Sequence, residues 1–242
     1  MSLHSPQGLT FWCHNIGRSH SSWLALLSEW GESGPDVVLI QEPPWVQVGR
    51  ARSLSSPEGD KIFGLPSSPG FHTFLPDAST WSSLSMTERP RAILLVHKRW
   101  TTLSVQYRQD LSPTRDICTV VLNVKWNDGS PCPLFISSIY IAAPDETNTA
   151  DRLLGTLDVP PQAHWILAGD TNRHHSDWSS RMAPSAAPGA ARYLRDFIRG
   201  RSLTILNDPE VATRHSPEGR MSTVLDLVLS SPSLRSWEWS PL

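Results

Sequence analysis

Apolar residues in this chain come in short runs that end abruptly on polar side chains. The run LTFWCHNI (9–16) is rich in β-formers and closes on Asn15, which predicts a first strand. In SHSSWLALLSEWGESG, Trp23, Leu26, Leu27 and Trp30 recur at i, i+3, i+4 and i+7. That spacing is one face of a helix, with serines ahead as caps and Gly31 and Gly34 near its end. DVVLIQEPPW follows, where Val37 to Gln41 form a continuous buried-strand run with Glu42 at its tip. The opening of the chain is therefore a βαβ-like unit carrying Asn15 and Glu42 on its strand ends.

Residues 49–88 are rich in Ser, Pro and Gly and predict a long surface excursion. Strands resume at 91–98, 101–107, 116–126 and 133–143, and four in a row without a helix predict antiparallel pairing. Residues 146–158 read as a helix with Ala150, Leu153, Leu154 and Leu157 on one face. HWILAGDTN (164–172) is a strand, and 189–202 is a helix with Tyr193, Leu194, Phe197 and Ile198 inward. LTILND and STVLDLVLS close the chain as strands. This order predicts an α/β fold, a four-layer sandwich of two mixed, mostly antiparallel sheets flanked by helices.

Composition narrows the class. The chain has 242 residues, of which 39% are apolar, enough for one sizeable core. The 21 prolines are scattered through loops, so a single domain over 9–242 is expected behind a disordered tail at 1–8. No apolar stretch approaches the ~18 residues a membrane span needs. The N-terminus lacks a basic segment followed by an apolar one, so no signal peptide is expected. The three cysteines, Cys13, Cys118 and Cys132, are isolated and read as reduced core thiols. An intracellular protein, compatible with the nucleus and not secreted, fits these features. The formal net charge of −2 argues against a dedicated nucleic-acid binder but not against an enzyme that grips phosphates locally.

Asn15, Glu42, Tyr140, Asp170 and Asn172 stand at or near the ends of predicted buried strands, and Asp226 lies within one. Polar groups that interrupt apolar runs usually line a site, because burying them unpaired costs several kcal/mol. In α/β folds the carboxyl ends of strands are where sites form. Separate carboxylates with amide oxygens make a hard-oxygen donor set, suited to Mg²⁺ or Mn²⁺ rather than zinc. Arg89, Arg91 and Arg214 adjoin these segments and are candidates for phosphate contacts. His174 and His175 are neighbours on an extended segment and point to opposite faces, so they do not share an ion. One of them, taken as His174, is expected to reach the substrate. Asp177 and Trp178 read as loop packing.

The ordered set of an Asn after the first strand, QEP after the second, SSIYIAAP, LAGDTNRHHSDW and MSTVLDLVLSS resembles the endonuclease/exonuclease/phosphatase superfamily. It is more specifically similar to the endonuclease domains of non-LTR (LINE-type) retrotransposons, from about residue 9 to about 231. The resemblance implies roles. Glu42 would be the main ligand of a divalent metal, with Asn15 beside it. Tyr140 would hydrogen-bond the scissile phosphate, and Asp170 would orient or deprotonate the attacking water. Asn172 would hold phosphate or product, Thr213 would touch the nucleic-acid backbone, and Asp226 would orient a histidine. That histidine belongs to a terminal Ser-Asp-His in the family, and this chain has no Asp after Asp226 and no His after His215. An unfilled sheet edge in place of the last core strand is the structural expectation.

The functional expectation is a Mg²⁺- or Mn²⁺-dependent phosphodiesterase that nicks DNA through backbone-dominated contacts, impaired by the missing motif. No membrane partner is expected, and the resemblance allows a former fusion to a reverse transcriptase. Two other readings stand beside it. One is a non-catalytic truncated remnant of a retroelement protein, and the other is a phosphatase on a small phosphorylated substrate.

Overall fold

The computed structural model of the chain describes residues 2–4, 8–30, 33–53, 55–125, 130–142, 150–180, 189–213, 224–234 and 238–240. Strand β1 (Ser2–His4), β2 (Thr10–Asn15), helix α1 (His20–Trp30) and β3 (Val37–Gln41) open the fold. Then come β4 (Val46–Ala51), β5 (Asp60–Gly64), β6 (Phe71–Phe74), β7 (Ala92–His97), β8 (Val105–Tyr107), β9 (Ile117–Lys125) and β10 (Pro131–Tyr140). The remainder is α2 (Ala150–Leu154), β11 (His164–Asp170), α3 (Arg192–Gly200), β12 (Thr204–Ile205), β13 (Asp226–Ser230) and β14 (Glu238–Ser240).

Two six-stranded sheets result, in the orders β14-β1-β2-β3-β7-β6 and β12-β13-β11-β10-β9-β8. β2 and β3 pair in parallel around the α1 crossover, as the βαβ reading predicts. In the second sheet β10 and β11 are parallel, while β8, β9 and β13 join antiparallel. Both sheets are therefore mixed, and most of their pairings are antiparallel.

Alternation along the strands sets the layers. Phe11, Val37, Leu39, Leu94 and Val96 of the first sheet share one core with Val120, Leu122, Ile136, Ile166 and Val228 of the second. The opposite face of the first sheet presents Val38, Ile40, Ile93 and Leu95 to Trp23 and Trp30 of α1. The opposite face of the second presents Val121, Phe135, Trp165, Leu167 and Leu229 to Leu154 of α2 and Leu194, Phe197 and Ile198 of α3. Helix, sheet, sheet, helix is the four-layer sandwich expected. The Ser19 hydroxyl accepts from the Ser22 N–H at 3.1 Å and caps α1. All three cysteines are buried and unbridged. No helix among the described residues is long and apolar enough to cross a membrane.

Several elements differ from the sequence pattern. The excursion at 49–88 contributes the β4–β5 hairpin and adds β6 to the first sheet. The strand expected at 101–107 shrinks to Val105–Tyr107, because the Ser104 N–H turns back to the Thr101 carbonyl at 2.9 Å. The first of the four consecutive strands, β7, pairs with β3 and β6 rather than with its successors. Ser2–His4, expected to lie in a tail outside the domain, pairs antiparallel with both β2 and β14. The backbone edge of β2 is thus paired by β1, and that of β1 by β14, which is how exposed strand edges are commonly blunted.

Candidate active site

Register brings the tips together. In the second sheet Tyr140 is paired with Asp170, and Asp170 with Asp226, so three polar residues stand in a row across three strands. In the first sheet Asn15 pairs with Gln41, one residue before Glu42. The two rows meet at the mouth of the sandwich. A cleft of about 570 Å³ there is lined by Asn15, Ile16, Gly17, Glu42, Tyr140, Asp170, Asn172, Thr213, Leu225 and Asp226. Six residues singled out as catalytic, together with Thr213, share this one cleft.

Local backbone explains why the strands end where they do. Glu42 and Asn172 both adopt left-handed conformations, with φ of 46° and 45°. Such values are uncommon outside glycine and cost about 1–3 kcal/mol, so surrounding bonds must hold them. The Glu42 N–H donates to the Arg91 carbonyl at 2.8 Å, and its own carbonyl accepts from the Arg18 N–H at 2.7 Å. The Asn172 N–H donates to Asp170 Oδ1 at 2.9 Å, and its side-chain amide donates to the Ile141 carbonyl at 3.0 Å. Gly169 has no room for a side chain, since a Cβ there would lie 1.8 Å from the Ile139 carbonyl oxygen. The Gly-Asp pair in the sequence is thus a close strand contact followed by a site carboxylate.

Asn15 is the hinge of the polar web. Its Nδ2 donates to Asp170 Oδ2 at 2.7 Å and lies 3.4 Å from Glu42 Oε2. Its Oδ1 accepts from the Gly17 N–H at 2.8 Å. The backbone N–H can only donate and the carboxylates can only accept, so the amide orientation is fixed by its neighbours. Asn15 therefore offers the carboxylates a donor, and its oxygen is turned toward Gly17. Glu42 Oε1 also meets Arg18 Nη2 at 2.7 Å.

The pattern VLDLVL places Asp226 inside a strand, but Asp226 is the first residue of β13. Leu225 is diverted from the ladder: its carbonyl accepts from the Thr171 N–H and hydroxyl at 2.9 and 2.6 Å. Thr213 Oγ1 accepts from the N–H groups of Leu225 and Asp226, both at 3.0 Å. Asn207 clamps the same turn, donating to the Asp226 carbonyl at 3.0 Å and accepting from the Val228 N–H at 2.7 Å. Thr213 thus orients the Asp226 backbone while lining the cleft.

Two substrate-side candidates do not line the cleft. Arg91 makes a two-pronged ion pair with Asp116, at 2.5 and 2.7 Å, and sits 5.0 Å from the centre of the Tyr140 ring. It braces Tyr140 from behind. His174 is half-buried outside the lining. His175 accepts from the Asp177 N–H at 3.0 Å and packs on Trp178, within the loop. Arg214 lies outside the described residues.

The crowded string after Asp170 therefore divides. Asp170 and Asn172 face the cleft. Arg173 is buried and reaches Asp151 of α2 at 3.1 Å and the Ala142 carbonyl at 2.7 Å. Trp178 is buried and donates to the Arg173 carbonyl at 3.0 Å. Sequence reading missed Arg173 and Arg18, because nothing local distinguishes a buried or site-bound arginine from a solvated one. It also passed over Gln41, although a polar residue inside an apolar run was a signal. Gln41 donates to Ser138 Oγ at 3.0 Å and accepts from Cys13 Sγ at 3.5 Å, which ties the two sheets together below the site. Burial first, then the nearby Asp226 and Asp170 charges, push the Cys13 thiol up to about 12.

Among the described residues no three Asp, Glu, His or Cys side chains converge into a closed metal site. A hard-oxygen set open to solvent, with Glu42 foremost, still suits Mg²⁺, which commonly takes one or two carboxylates and fills its shell with water and phosphate.

Comparison with known proteins agrees with this fold. Residues 134–241 match the family described as "Endonuclease-reverse transcriptase". The endonuclease domain of TRAS1, a telomere-specific non-LTR retrotransposon, superimposes with a TM-score of 0.62 at 18% identity, over 92% of this chain and 84% of that one. The catalytic domain of Xenopus laevis APE2 superimposes with a TM-score of 0.55 at 12% identity, over 93% and 83%. No curated protein matches the chain. The resemblance read from the sequence therefore stands: the chain has the endonuclease/exonuclease/phosphatase superfamily fold, with its likeness drawn toward the endonucleases of non-LTR retrotransposons.

Proposed function

We propose that the cleft is the centre of a divalent-metal-dependent phosphodiesterase that nicks one strand of DNA. The carrying observation is the convergence of Asn15, Glu42, Tyr140, Asp170, Asn172, Thr213 and Asp226, drawn from both sheets, on a single cleft. Glu42 would hold Mg²⁺ or Mn²⁺, with Asn15 orienting Glu42 and Asp170 rather than supplying its turned-away oxygen. The cation, when bound, polarises a phosphoryl oxygen and stabilises the leaving oxyanion.

The chain's own groups perform the rest. Asp170 takes two donors, from Asn15 and from the Asn172 N–H, which fix the carboxylate in place. In that position it orients the attacking water and accepts its proton as the new P–O bond forms. Tyr140, steadied by Arg91, donates its phenolic hydrogen to a phosphate oxygen. Asn172 keeps one amide N–H beyond the Ile141 bond for phosphate or product. Thr213 and Asp226 shape the opposite wall.

A second reading, a remnant that keeps the fold without catalysis, stands beside the nuclease. Relaxation of supercoiled plasmid under a metal titration separates them, with a phosphomonoester as the competing substrate. Metal-dependent nicking that vanishes in Glu42→Ala and Asp170→Ala supports the nuclease. Equal activity in those variants sinks it, no nicking at any metal concentration favours the remnant, and phosphomonoester turnover alone favours a phosphatase.

A further inference from the structure

Three arginines from separate segments gather beside Glu42. Arg18, half exposed and itself left-handed at φ 67°, lays its guanidinium on Glu42. The Arg115 carbonyl accepts from the Arg91 and Ala92 N–H groups at 2.7 and 3.2 Å, which seats it next to the Glu42 strand tip. Its side chain donates to the Thr87 carbonyl at 3.1 Å. Arg89 donates to the Met86 carbonyl at 3.4 Å. Their closeness is felt electrostatically. Burial first, and then repulsion from Arg18, Arg115 and Arg91, hold the Arg89 guanidinium below its ordinary value, while Glu42 pulls the other way.

The charge balance on this bank is uneven. Arg91 is matched by Asp116 and Arg18 by Glu42. Among the described residues Arg89 and Arg115 make no ion pair and spend donors only on backbone carbonyls. A guanidinium has five N–H donors, so each keeps several. Like charges crowded without counter-charge oppose folding, and an anion arriving from solvent relieves them. The chain as a whole carries a formal charge of −2, so this concentration of cations is local. Cations drawn from separate segments suit a polyanion with repeated phosphates.

We propose that Arg18, Arg89 and Arg115 form a clamp for the nucleic-acid backbone along the Glu42 side of the cleft, gripping phosphates beside the one to be cut. The inference rests on the nuclease reading for its location, but binding tests it without turnover. Phosphate contacts carry no sequence information, so the clamp is indifferent to base order.

The test is the salt dependence of binding to a short fluorescent DNA duplex, read by anisotropy in EDTA. Each lost phosphate contact removes about one from the slope of log affinity against log salt. Arg89→Ala with Arg115→Ala is expected to reduce the slope by about two and to weaken low-salt binding at least tenfold, equally on unrelated sequences. Arg89→Lys with Arg115→Lys keeps the charges and is expected to keep the slope. Arg192→Ala, on the far helix α3, is expected to bind like wild type. Glu42→Gln frees Arg18 and is expected to bind more tightly, with a slope steeper by about one, although it abolishes cleavage. Unchanged slopes in the double alanine variant, an equal loss in Arg192→Ala, or no DNA binding by the parent protein would overturn the clamp. Loss of the slope in a folded alanine variant, with recovery in the lysine variant, upholds it. A clamp that fails while Glu42→Ala still abolishes metal-dependent nicking leaves the nuclease reading intact.

Discussion

Asn15 and Asp170, 155 positions apart and on different sheets, are joined by a hydrogen bond of 2.7 Å. The bond makes the carboxylate's position a property of the sandwich rather than of one loop. Asn15→Ala is expected to lower the nicking rate by about a hundredfold, in the range lost when one positioned polar group is removed from a reacting centre. Thermal stability should change little, because the cleft is open to water. Asn15→Asp is expected to be worse, since it sets a third carboxylate against Asp170 and Glu42. Rates on supercoiled plasmid alongside melting curves check this; an active Asn15→Ala enzyme would remove Asn15 from the account.

Gly169 is where the strand pattern and the site motif meet. Its φ of 156° and the 1.8 Å approach of a Cβ to the Ile139 carbonyl leave space for no other residue. Gly169→Ala is expected to destabilise the fold by roughly 3 kcal/mol or more, through displacement of β11 from β10. Urea unfolding measures it, and a loss under about 1 kcal/mol would show that the strands part easily.

Beneath the signature loop, Arg173 and Asp151 are a buried pair with side chains only 3% and 2% exposed. Removing one partner strands the other charge, at a cost of about 3–5 kcal/mol. Arg173→Met and Asp151→Leu are each expected to destabilise strongly, and the double variant less than the sum. Additive losses in a double-mutant cycle would show that the two charges are not coupled.

Asp36 links acid stability to the first sheet. Burial pushes its carboxyl up, but the Thr10 N–H, Trp100 Nε1 and Arg99 donate to it and outweigh that, holding it below the usual value. A depressed folded value means the unfolded chain takes up the proton first as pH falls. The contribution of Asp36 is therefore full above about pH 4 and is lost as pH drops through the lower folded value. Asp36→Asn is expected to cost about 1–3 kcal/mol near neutrality. Its deficit should shrink in melts taken progressively below about pH 4. A deficit independent of pH would assign the effect to shape rather than charge.

The parts of this molecule that were legible in the sequence are those with a strong period or a sharp interruption. Buried strands such as Val37–Gln41 announce themselves as apolar runs, and the Asn, Glu and Asp that end them announce the cleft. The helix face of Trp23 and Trp30 follows from spacing alone. What escaped depends on distant partners. β1 is a strand only because it pairs with β2 and β14, and β14 only because it pairs with β1. Asp226 begins a strand rather than interrupting one because Thr171 and Thr213 capture Leu225. The orientation of the Asn15 amide is set by one N–H of Gly17, and the pairing of Arg18 with Glu42 by a fold in the loop between β2 and α1.

The central claim is that Glu42 and its neighbours seat a divalent cation. Anomalous diffraction from crystals soaked in Mn²⁺ locates such an ion directly. The account predicts a peak in the cleft within bonding distance of a Glu42 carboxylate oxygen, absent in Glu42→Gln crystals. Manganese bound only elsewhere on the protein, or an empty cleft at saturating metal, would contradict it.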